Sequence, residues 1–253
     1  MIISVAAQKG GSAKTTTTIH LGAALAQLGK RVLLIDMDPQ GQLAEGLGLQ
    51  AADLPHEISE VLDRTLALTD IIVPIAEVKN LSLAPSNIKL SYMEMQLFNK
   101  PRREDRLKNA INGLRARYDF MLIDCPPSLG ILTINALSAS EGVLIPMSTD
   151  YYGMLGVQLM LQTINEMREK INPHLQVLGI LPTRMRPTNN AREVLGRLHE
   201  ELDGNVPIYK VHIPETVKFQ EAAGLGVTVF THEPLNPGAG AYLALAKEVI
   251  NVC

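Results

Sequence analysis

A glycine-rich loop between an apolar strand and a helix constrains this chain more than any other feature. The loop reads Lys-Gly-Gly-Ser-Ala-Lys-Thr-Thr over residues 9–16. The apolar segment 1–7 predicts a buried strand, and apolar residues at helical spacing over 17–28, stopped by Gly29, predict a helix. A junction of this kind directs backbone N–H groups and the positive end of a helix dipole at one point. It therefore predicts a binding site for a triphosphate.

The side chains of the loop match the chemistry of such a site. Lys14 is placed to reach the β- and γ-phosphates, and the hydroxyl of Thr15 is placed to ligate Mg²⁺. The ordinary pattern G-x-x-x-x-G-K-[ST] is not met, because Gln8 and Ala13 stand where its two glycines would be. A lysine and glycines before a helix also occur as a plain helix cap. We predict a nucleotide-binding loop formed by Gly10, Gly11, Ser12, Ala13, Lys14, Thr15 and Thr16.

Two further predicted strands end in carboxylates. The segment 31–36 is a basic residue followed by an apolar run that ends at Asp36, with Asp38 two residues later. The segment 118–124 is a second apolar run and ends at Asp124. Ligands bind at the carboxyl ends of the strands in an open parallel sheet. The three strand ends together favour a site for Mg²⁺ and phosphate over isolated turn residues.

These three segments resemble the motifs of one known family. Residues 9–15 resemble the deviant Walker A box K-G-G-x-G-K-[ST] of the ParA/MinD ATPases. Residues 36–41 and 124–129 look like the switch I (D-x-D-P-Q-G) and switch II (D-C-P-P-S-L) sequences of the ParA partition ATPases. The likeness extends over nearly the whole chain, with further matches at residues 134–137, 141–146, 179–181, 213–214 and 220–222. The chain is identified as similar to the short, Soj-like form.

The resemblance implies a role for each matching residue. Lys14 would neutralise the phosphates, Asp38 would orient the attacking water, and Lys9 would cross a dimer interface to the partner's nucleotide, so these three are the catalytic candidates. Thr15 would hold Mg²⁺, Asp124 would support the ion through its water shell, and Asp36 would lie behind them in the metal site. The adenine would lie near Thr183 and Pro214.

Ala13 is the one departure from the family's loop. The position before the P-loop lysine favours glycine because the backbone approaches the phosphates closely there. If the φ angle of Ala13 is negative, alanine fits and the site is only mildly altered. If the angle is positive, nucleotide affinity or turnover falls. In both cases we expect ATP binding with slow hydrolysis.

The remaining pattern predicts an α/β fold. We expect a single-domain P-loop NTPase over residues 1–253, with a mainly parallel twisted sheet and helices on both faces. The chain begins on its first predicted strand, so we expect no N-terminal helix-turn-helix. Further strands are predicted at residues 81–84, 142–146, 177–181 and 207–211, and the segment 50–100 has the weakest pattern.

Composition and short motifs limit the cofactors and the compartment. ATP with Mg²⁺ is the expected cofactor pair. Guanine-specific P-loop proteins read the base with the motif Asn-Lys-x-Asp, and the similar segment of this chain, residues 99–102, lacks the aspartate. The two cysteines, Cys125 and Cys253, indicate neither a disulfide framework nor a metal site. The six histidines show no metal-ligand spacing, and most are expected at the surface or in caps. With no leader or spanning segment, we expect a cytoplasmic protein that associates with the nucleoid when it binds ATP.

The charge pattern sets the expected partners. A net charge of −3 argues against coating of nucleic acid by a monomer, but a patch can form in a dimer. The resemblance implies an ATP-dependent homodimer that binds DNA nonspecifically, with contacts predicted at Arg184, Arg186, Arg192 and Lys218. Glu215 and Thr216 replace an arginine-asparagine pair found in many relatives. A denser basic cluster over 100–117 is interpreted as the solvated face of a helix.

The sequence does not identify the object that such an ATPase would move or position, its cargo. The expected function is segregation of a plasmid or chromosome together with a ParB-like centromere binder or an adaptor protein. Two alternatives remain: a MinD-like ATPase on a membrane, and a ParA-like ATPase that positions a protein assembly such as a carboxysome. The C-terminal segment 241–253 carries one lysine and one glutamate, which argues against a basic membrane-binding helix and for no membrane partner.

Overall fold

The computed structural model describes residues 1–252, so Cys253 lies outside the described residues. Seven strands form one sheet: β1 (Ile2–Val5), β2 (Val32–Asp36), β3 (Val73–Pro74), β4 (Leu81–Ala84), β5 (Phe120–Asp124), β6 (Gly142–Ser148) and β7 (Gln176–Thr183). Their order is β3-β4-β2-β5-β1-β6-β7, and every neighbouring pair is parallel except β3 with β4. The predicted α/β class with a mainly parallel sheet is confirmed.

Along residues 1–252 the first seven helices lie between the strands, and the last four follow β7. The helices are α1 (Lys14–Gln27), α2 (Gln42–Gly46), α3 (Ile58–Asp63), α4 (Lys89–Leu97), α5 (Arg106–Ile111), α6 (Ile131–Ala139), α7 (Tyr151–Lys170), α8 (Asn189–Leu202), α9 (Lys218–Gly224), α10 (Val229–His232) and α11 (Pro237–Val252). Short 3₁₀ turns lie at Ala51–Asp53, Leu68–Asp70, Arg103–Asp105 and Asn112–Leu114.

The core has two apolar layers, one on each face of the sheet. Strands β2 and β5 are buried along their whole length, as expected for parallel strands covered on both faces. Helices α3 to α8 contribute the apolar residues that cover one face. Helices α1, α2, α9 and α11 contribute those that cover the other, where Leu21, Leu25 and Tyr242 are fully buried. The parallel pairing of six of these strands brings their carboxyl ends to one edge of the buried sheet.

One predicted strand is wrong. Residues 207–211 pair with β7 at a single position, where Ile208 bridges Ile180. The chain then follows β7 irregularly to a second bridge between Pro214 and Met185. Pro207 and Pro214 lack N–H donors and so cannot continue a hydrogen-bonded ladder. The two-residue strand β3 lies in the segment 50–100, which has the weakest pattern of the chain.

The basic cluster over 100–117 holds the fold together more than the sequence indicated. Arg106 is buried, and its guanidinium donates to the carbonyl oxygens of Leu62 and Pro101, at 3.1 and 3.2 Å. The interpretation as a solvated helix face is therefore wrong for Arg106. Lys100 pairs with Asp63, and Arg115 pairs with Glu141. These three basic side chains are thus engaged in hydrogen bonds or ion pairs within the chain.

Most histidines were expected at the surface or in caps, but His20 is buried, with 3% exposure. Its Nδ1 donates to the carbonyl oxygen of Thr16 at 2.7 Å, and its Nε2 accepts from the backbone N–H of Val229 at 3.1 Å. The ring stacks on Tyr242 with a centroid distance of 5.4 Å. Burial lowers the pKa of His20 to about 4, so the imidazole is neutral in the folded protein at pH 7.

This environment makes the contribution of His20 to stability depend on pH in mild acid. The folded-state pKa is about 4 and the reference value is 6.5, so between these values the imidazole of the unfolded chain binds a proton that the folded chain does not. The contribution of His20 to the free energy of unfolding should fall as the pH drops from 6.5 towards 4, by at most about 3 kcal/mol. Urea unfolding of wild type and of His20→Phe across this range measures the effect. His174→Phe serves as the control, because His174 is exposed. If the free energy of unfolding changes with pH equally in wild type and in His20→Phe, the prediction for His20 is contradicted.

Candidate nucleotide-binding site

The loop between β1 and α1 forms the floor of an open cleft at the carboxyl edge of the sheet. The cleft has a volume of about 610 Å³. The loop, the segments after β2 and β5, helix α4 and the start of α9 all line it. The lining includes Gly10, Gly11, Ala13, Lys14, Thr15, Thr16, Asp38, Glu94, Pro126, Ser128, Arg184, Ile213, Pro214, Phe219, Gln220 and Tyr242. The three segments predicted from the sequence are therefore brought together.

The loop backbone has the geometry of an anion site. Gly11 and Ala13 have φ angles of +76° and +66°, and α1 follows with no side chain capping its first N–H groups. Free N–H groups at a helix start and the helix dipole together favour a bound anion. The buried hydroxyl of Ser12 has no hydrogen-bond partner among the described residues. Both features fit a loop that completes its hydrogen bonding with phosphate oxygens.

Lys14 brings a positive charge to this floor. Its Nζ makes one hydrogen bond, to the carbonyl oxygen of Lys9 at 3.3 Å, and the side chain is 7% exposed. Burial lowers the pKa of Lys14, and the negative charge of Asp124 partly offsets this effect. The ammonium group is thus poorly solvated without a bound anion, which favours a phosphate contact.

Asp124 connects the end of β5 to helix α1. Its carboxylate accepts from the hydroxyls of Thr15 at 2.7 Å and Thr18 at 3.2 Å. Burial raises the pKa of Asp124 to about 7, against the opposing effects of the Thr15 hydrogen bond and the charge of Lys14. Among residues 1–252, no group of three or more His, Cys, Asp or Glu is placed to hold a metal alone. This donor set fits Mg²⁺, which protein sites commonly bind through one or two side chains plus phosphate oxygens.

Asp36 and Asp38 shape the turn after β2. Asp36 lies opposite Asp124 in the sheet, and its two oxygens accept from the N–H groups of Asp38 at 2.9 Å and Leu43 at 3.3 Å. Burial and the charge of Asp124 raise the pKa of Asp36 well above its usual range. Asp36 thus holds the turn in place, and its part in a metal site stays a prediction. Asp38 accepts from the N–H of Gln40 at 3.0 Å and faces the cleft.

Lys9 points away from the cleft. Its Nζ donates to both oxygens of Asp150 at 2.7 Å and to the hydroxyl of Ser148 at 3.1 Å. It also lies 5.9 Å from the ring centroid of Tyr152. The position of Lys9 on the outer side of the loop was predicted from the family resemblance. Its anchor at Asp150 was not predicted, because that residue follows a strand about 140 positions away in the sequence.

Part of the cleft lining is apolar and suits a base. Pro214, Phe219 and Tyr242 line it together with the exposed amide side chain of Gln220. Thr183 is fully buried, and its hydroxyl donates to the carbonyl oxygen of Ser12 at 3.0 Å. Thr183 therefore supports the loop from behind, and its position near the base stays a prediction from the family resemblance.

Glu94 of α4 was missed by the sequence analysis. Glu94 lines the cleft together with Asp38 and Ser128, and its carboxylate makes no hydrogen bond or ion pair with any described residue. A Cβ atom on Gly130 would overlap this carboxylate, so the Glu94 side chain would have to move if residue 130 were larger. Burial raises the pKa of Glu94. No local pattern in the segment 50–100 could have placed this residue in the cleft.

The four residues predicted to contact DNA are not equally available. Arg184 and Arg186 both pair with Glu215, and Arg184 also lies 3.5 Å from the carbonyl oxygen of Gly11. Hydrogen bonds from Arg186 and Arg184 lower the pKa of Glu215 to about 2. Lys218 pairs with Glu221 at 2.8 Å. Arg192 is exposed and has no ion-pair partner within residues 1–252.

The positive φ angle of Ala13 decides between the two alternatives left open by the sequence. A left-handed conformation costs an alanine about 1–2 kcal/mol, whereas glycine adopts it readily. Ala13→Gly should raise the free energy of unfolding by about 1 kcal/mol and increase nucleotide affinity. Chemical denaturation and titration with a fluorescent ATP analogue measure the two effects.

Arg64 offers a matched control, because its φ angle is also +66° and it lies outside the cleft. Arg64→Gly should relieve the same backbone strain and leave nucleotide affinity unchanged. Equal nucleotide affinity in wild type and Ala13→Gly would mean that the loop accommodates alanine fully.

Comparison with known proteins gives a consistent assignment. The family model described as "AAA domain" matches residues 1–177. The chain is 41% identical to the sporulation initiation inhibitor protein Soj of Bacillus subtilis, covering 98% of this chain and 97% of that protein. It is 37% identical to the chromosome partitioning protein ParA of Myxococcus xanthus, covering 98% and 87%.

Solved structures agree with these relatives. A structure described as cobyrinic acid a,c-diamide synthase from Mycobacterium smegmatis, with bound ADP and magnesium, superposes with a TM-score of 0.86 at 36% identity. The match covers 99% of this chain and 94% of that one. Together with the cleft geometry, these similarities place the chain in the family of P-loop ATPases that includes the Soj and ParA chromosome-partitioning proteins.

Proposed function

We propose that this protein is an ATPase that dimerises on binding ATP and binds DNA nonspecifically as that dimer. It would thereby drive plasmid or chromosome segregation or position another intracellular cargo. The main support for the proposal is that two lysines of the same loop point in different directions. Lys14 lines the cleft with Thr15, while Lys9 extends away from the cleft to Asp150.

The residues of the cleft fit ATP and Mg²⁺, as in the similar structure that holds ADP and magnesium. Lys14 and the N–H groups of residues 10–16 would hold the phosphates, with the base near Pro214. Thr15 would hold Mg²⁺, supported by Asp124, and the ion would neutralise charge on the phosphates. Asp38 would orient the attacking water, because phosphoryl transfer to water depends mainly on positioning and charge stabilisation.

Lys9 would act on the nucleotide of a second subunit. In the single chain its ammonium group is held by Asp150 outside the cleft, so it contributes nothing to phosphate binding there. A site that lacks this charge until a second copy docks would couple hydrolysis to dimerisation. The proposed hydrolysis is therefore slow and responds to partners.

The DNA-binding surface would lie around the start of α8 and the start of α9. Arg192 is the available cation there, whereas Arg184, Arg186 and Lys218 are paired with glutamates. Phosphate oxygens would compete with Glu215 for both arginines. Such contacts carry no sequence information, so binding would be nonspecific. With a net charge of −3, binding would need the paired patches of a dimer.

Glu215 would therefore limit the DNA affinity of this surface. Glu215→Gln should increase DNA affinity and steepen its salt dependence, because two freed arginines add phosphate contacts worth about 0.9 each in log–log slope. Fluorescence anisotropy with a labelled random duplex at several salt concentrations measures both quantities. Glu166→Gln, which frees Lys170 on α7, is the control. An unchanged affinity in Glu215→Gln would exclude Arg184 and Arg186 from the DNA contacts.

The proposed partners are a ParB-like centromere-binding protein or an adaptor, on a nucleoid-associated dimer. The membrane alternative is less favoured because helix α11 packs its apolar face against α1, with Tyr242, Leu245 and Val249 buried. Among residues 1–252, none of the helices combines the length and the apolar composition of a membrane-spanning segment.

Sedimentation velocity with and without nucleotide tests the proposal. A dimer should form with Mg²⁺ and ATP and return to monomer as phosphate is released, while ADP alone should leave a monomer. A protein that stays monomeric at all ATP concentrations, or that is dimeric without nucleotide, would refute it.

A further inference from the structure

A second cavity lies beside the nucleotide cleft and is lined by helices α1, α2 and α9. Its volume is about 350 Å³, which falls within the range of about 300–1,000 Å³ that is typical of ligand pockets. Thr15, Thr16 and Phe219 line both this cavity and the nucleotide cleft, so the two are direct neighbours. We call the second cavity the α9 pocket.

The buried part of the α9 pocket is apolar and partly aromatic. Ile19, His20 and Phe219 are all buried, and the rings of His20 and Phe219 meet edge to face with centroids 5.0 Å apart. Both ring nitrogens of His20 are engaged with backbone groups, and its imidazole is neutral at pH 7. Aromatic rings pack favourably against a further ring. This lining therefore suits a ligand with an aromatic body.

Glu45 gives the α9 pocket its charge. Because His20 is neutral, Glu45 is the one residue of the described lining that carries a formal charge. Its side chain is exposed, and its carboxylate makes no hydrogen bond or ion pair with any described residue. The nearby hydroxyl of Thr16 and amide of Gln42 are uncharged. An apolar lining with one free carboxylate complements an apolar body that carries a positively charged head.

Two glycines mark where the pocket is closed and where it is open. A Cβ atom on Gly46 of α2 would lie 2.7 Å from Cδ1 of Ile19, so α2 packs tightly on α1 there. A Cβ atom on Gly224 at the end of α9 would meet no described atom within 4 Å beyond its own helix and its chain neighbours. Gly224 has no positive φ angle, so its backbone accepts a larger residue. Gly224 therefore faces the open space of the pocket.

We propose that the α9 pocket binds a small ligand with an aromatic body and an ammonium head, and that this ligand regulates nucleotide binding. The body lies against Phe219 and His20, and the head pairs with Glu45. Bound Mg²⁺ and ATP carry net negative charge next to this head, so each ligand should raise the affinity of the other by the same factor. This rests on the nucleotide binding of the proposed function, and on neither the dimer nor DNA.

Three probes of similar shape test the charge preference: 2-phenylethylammonium, 2-phenylethanol and phenylacetate. Ligand-observed NMR titration of the full chain gives their dissociation constants. The ammonium should bind about threefold more tightly than the alcohol, as expected for one exposed ion pair, and phenylacetate should bind most weakly. Glu45→Gln should abolish this order. Glu77→Gln is the matched control, because Glu77 is also exposed and unpaired among the described residues and lies outside the pocket.

Gly224→Leu tests the volume of the pocket. The leucine side chain should occupy the open space and weaken binding of 2-phenylethylammonium at least about tenfold, with the fold unchanged. Gly240→Leu on α11 is the matched control, because a Cβ atom there also meets no described atom within 4 Å beyond its own helix and its chain neighbours, and it lies outside the pocket. Circular dichroism and thermal unfolding check the folding of each variant.

Titration of a non-hydrolysable ATP analogue tests the regulation. With Mg²⁺ and saturating 2-phenylethylammonium, wild type should bind the analogue at least about twofold more tightly than without the probe. Gly224→Leu should bind the analogue with the same affinity in both conditions. An unchanged affinity in wild type would overturn the regulatory role.

The site is supported if the ammonium preference depends on Glu45, if Gly224→Leu loses the probe, and if both controls behave like wild type. It is overturned if the three probes bind alike, or if Gly224→Leu binds the ammonium like wild type. Displacement of the probe by the ATP analogue also overturns it, because the pocket would then belong to the nucleotide site. A protein that passes these tests but neither dimerises nor binds DNA would refute the proposed function and leave this inference standing.

Discussion

Replacing Lys14 with alanine is expected to abolish nucleotide binding, whereas replacing Asp38 is expected to preserve it. Lys14 carries a buried ammonium group on the floor of the cleft with a single weak hydrogen bond, so its charge is available for phosphate. Removing it should weaken ATP binding by about 100-fold or more. The fold should survive, because the variant loses a poorly solvated charge and not a structural ion pair.

The Asp38→Ala variant should bind ATP normally but hydrolyse it slowly. The carboxylate faces the cleft and is proposed to orient the attacking water, so its loss should slow hydrolysis by about 100-fold and accumulate the ATP-bound dimer. Isothermal titration gives the affinities, and light scattering with ATP and Mg²⁺ follows the dimer. An Asp38→Ala protein that stays monomeric and hydrolyses ATP normally would remove this residue from the reaction.

Lys9→Ala is expected to separate binding from dimerisation. The Nζ of Lys9 lies on Asp150, outside its own cleft, so monomeric ATP affinity should change little. The ATP-bound dimer and hydrolysis should both be lost, because the charge is proposed to act on the partner's phosphates. Sedimentation with a non-hydrolysable ATP analogue and steady-state phosphate release measure these effects.

Lys100→Ala is a matched control for Lys9→Ala. Lys100 also pairs with an aspartate, Asp63, and its side-chain exposure of 34% is close to the 32% of Lys9. It does not line the cleft, so the control should dimerise and hydrolyse like wild type. Equal loss of ATP affinity and dimerisation in Lys9→Ala would make Lys9 an ordinary contact within its own subunit.

Much of the nucleotide site could be predicted from local sequence. Apolar runs that end in Asp36 and Asp124 predict parallel strands, and the carboxyl ends of such strands meet at one edge. The contact of Thr15 with Asp124 follows from that rule, although the two residues are 109 positions apart. The strand predicted at 207–211 failed because the segment bridges β7 only at Ile208, and Pro207 at its start and Pro214 beyond its end lack the N–H donors that a ladder needs.

The remaining features depend on tertiary contacts that no local pattern encodes. Glu94 enters the cleft because α4 packs beside residue 130, and Asp150 receives Lys9 because β6 neighbours β1. Glu215 neutralises two arginines about 30 positions away along the chain. The sign of the Ala13 φ angle is likewise set by how the loop joins β1 to α1, and the sequence left it open.

In the proposed function, ATP gates DNA binding because it joins the weak basic patches of two subunits. Retention of wild-type protein on immobilised random duplex, measured with ATP, with ADP and without nucleotide across a salt series, tests this gating. We expect retention with ATP alone, decreasing steeply as salt rises, and equal competition by random and specific duplexes. Equal retention in all three nucleotide states, or no retention in any of them at low salt, would contradict the claim.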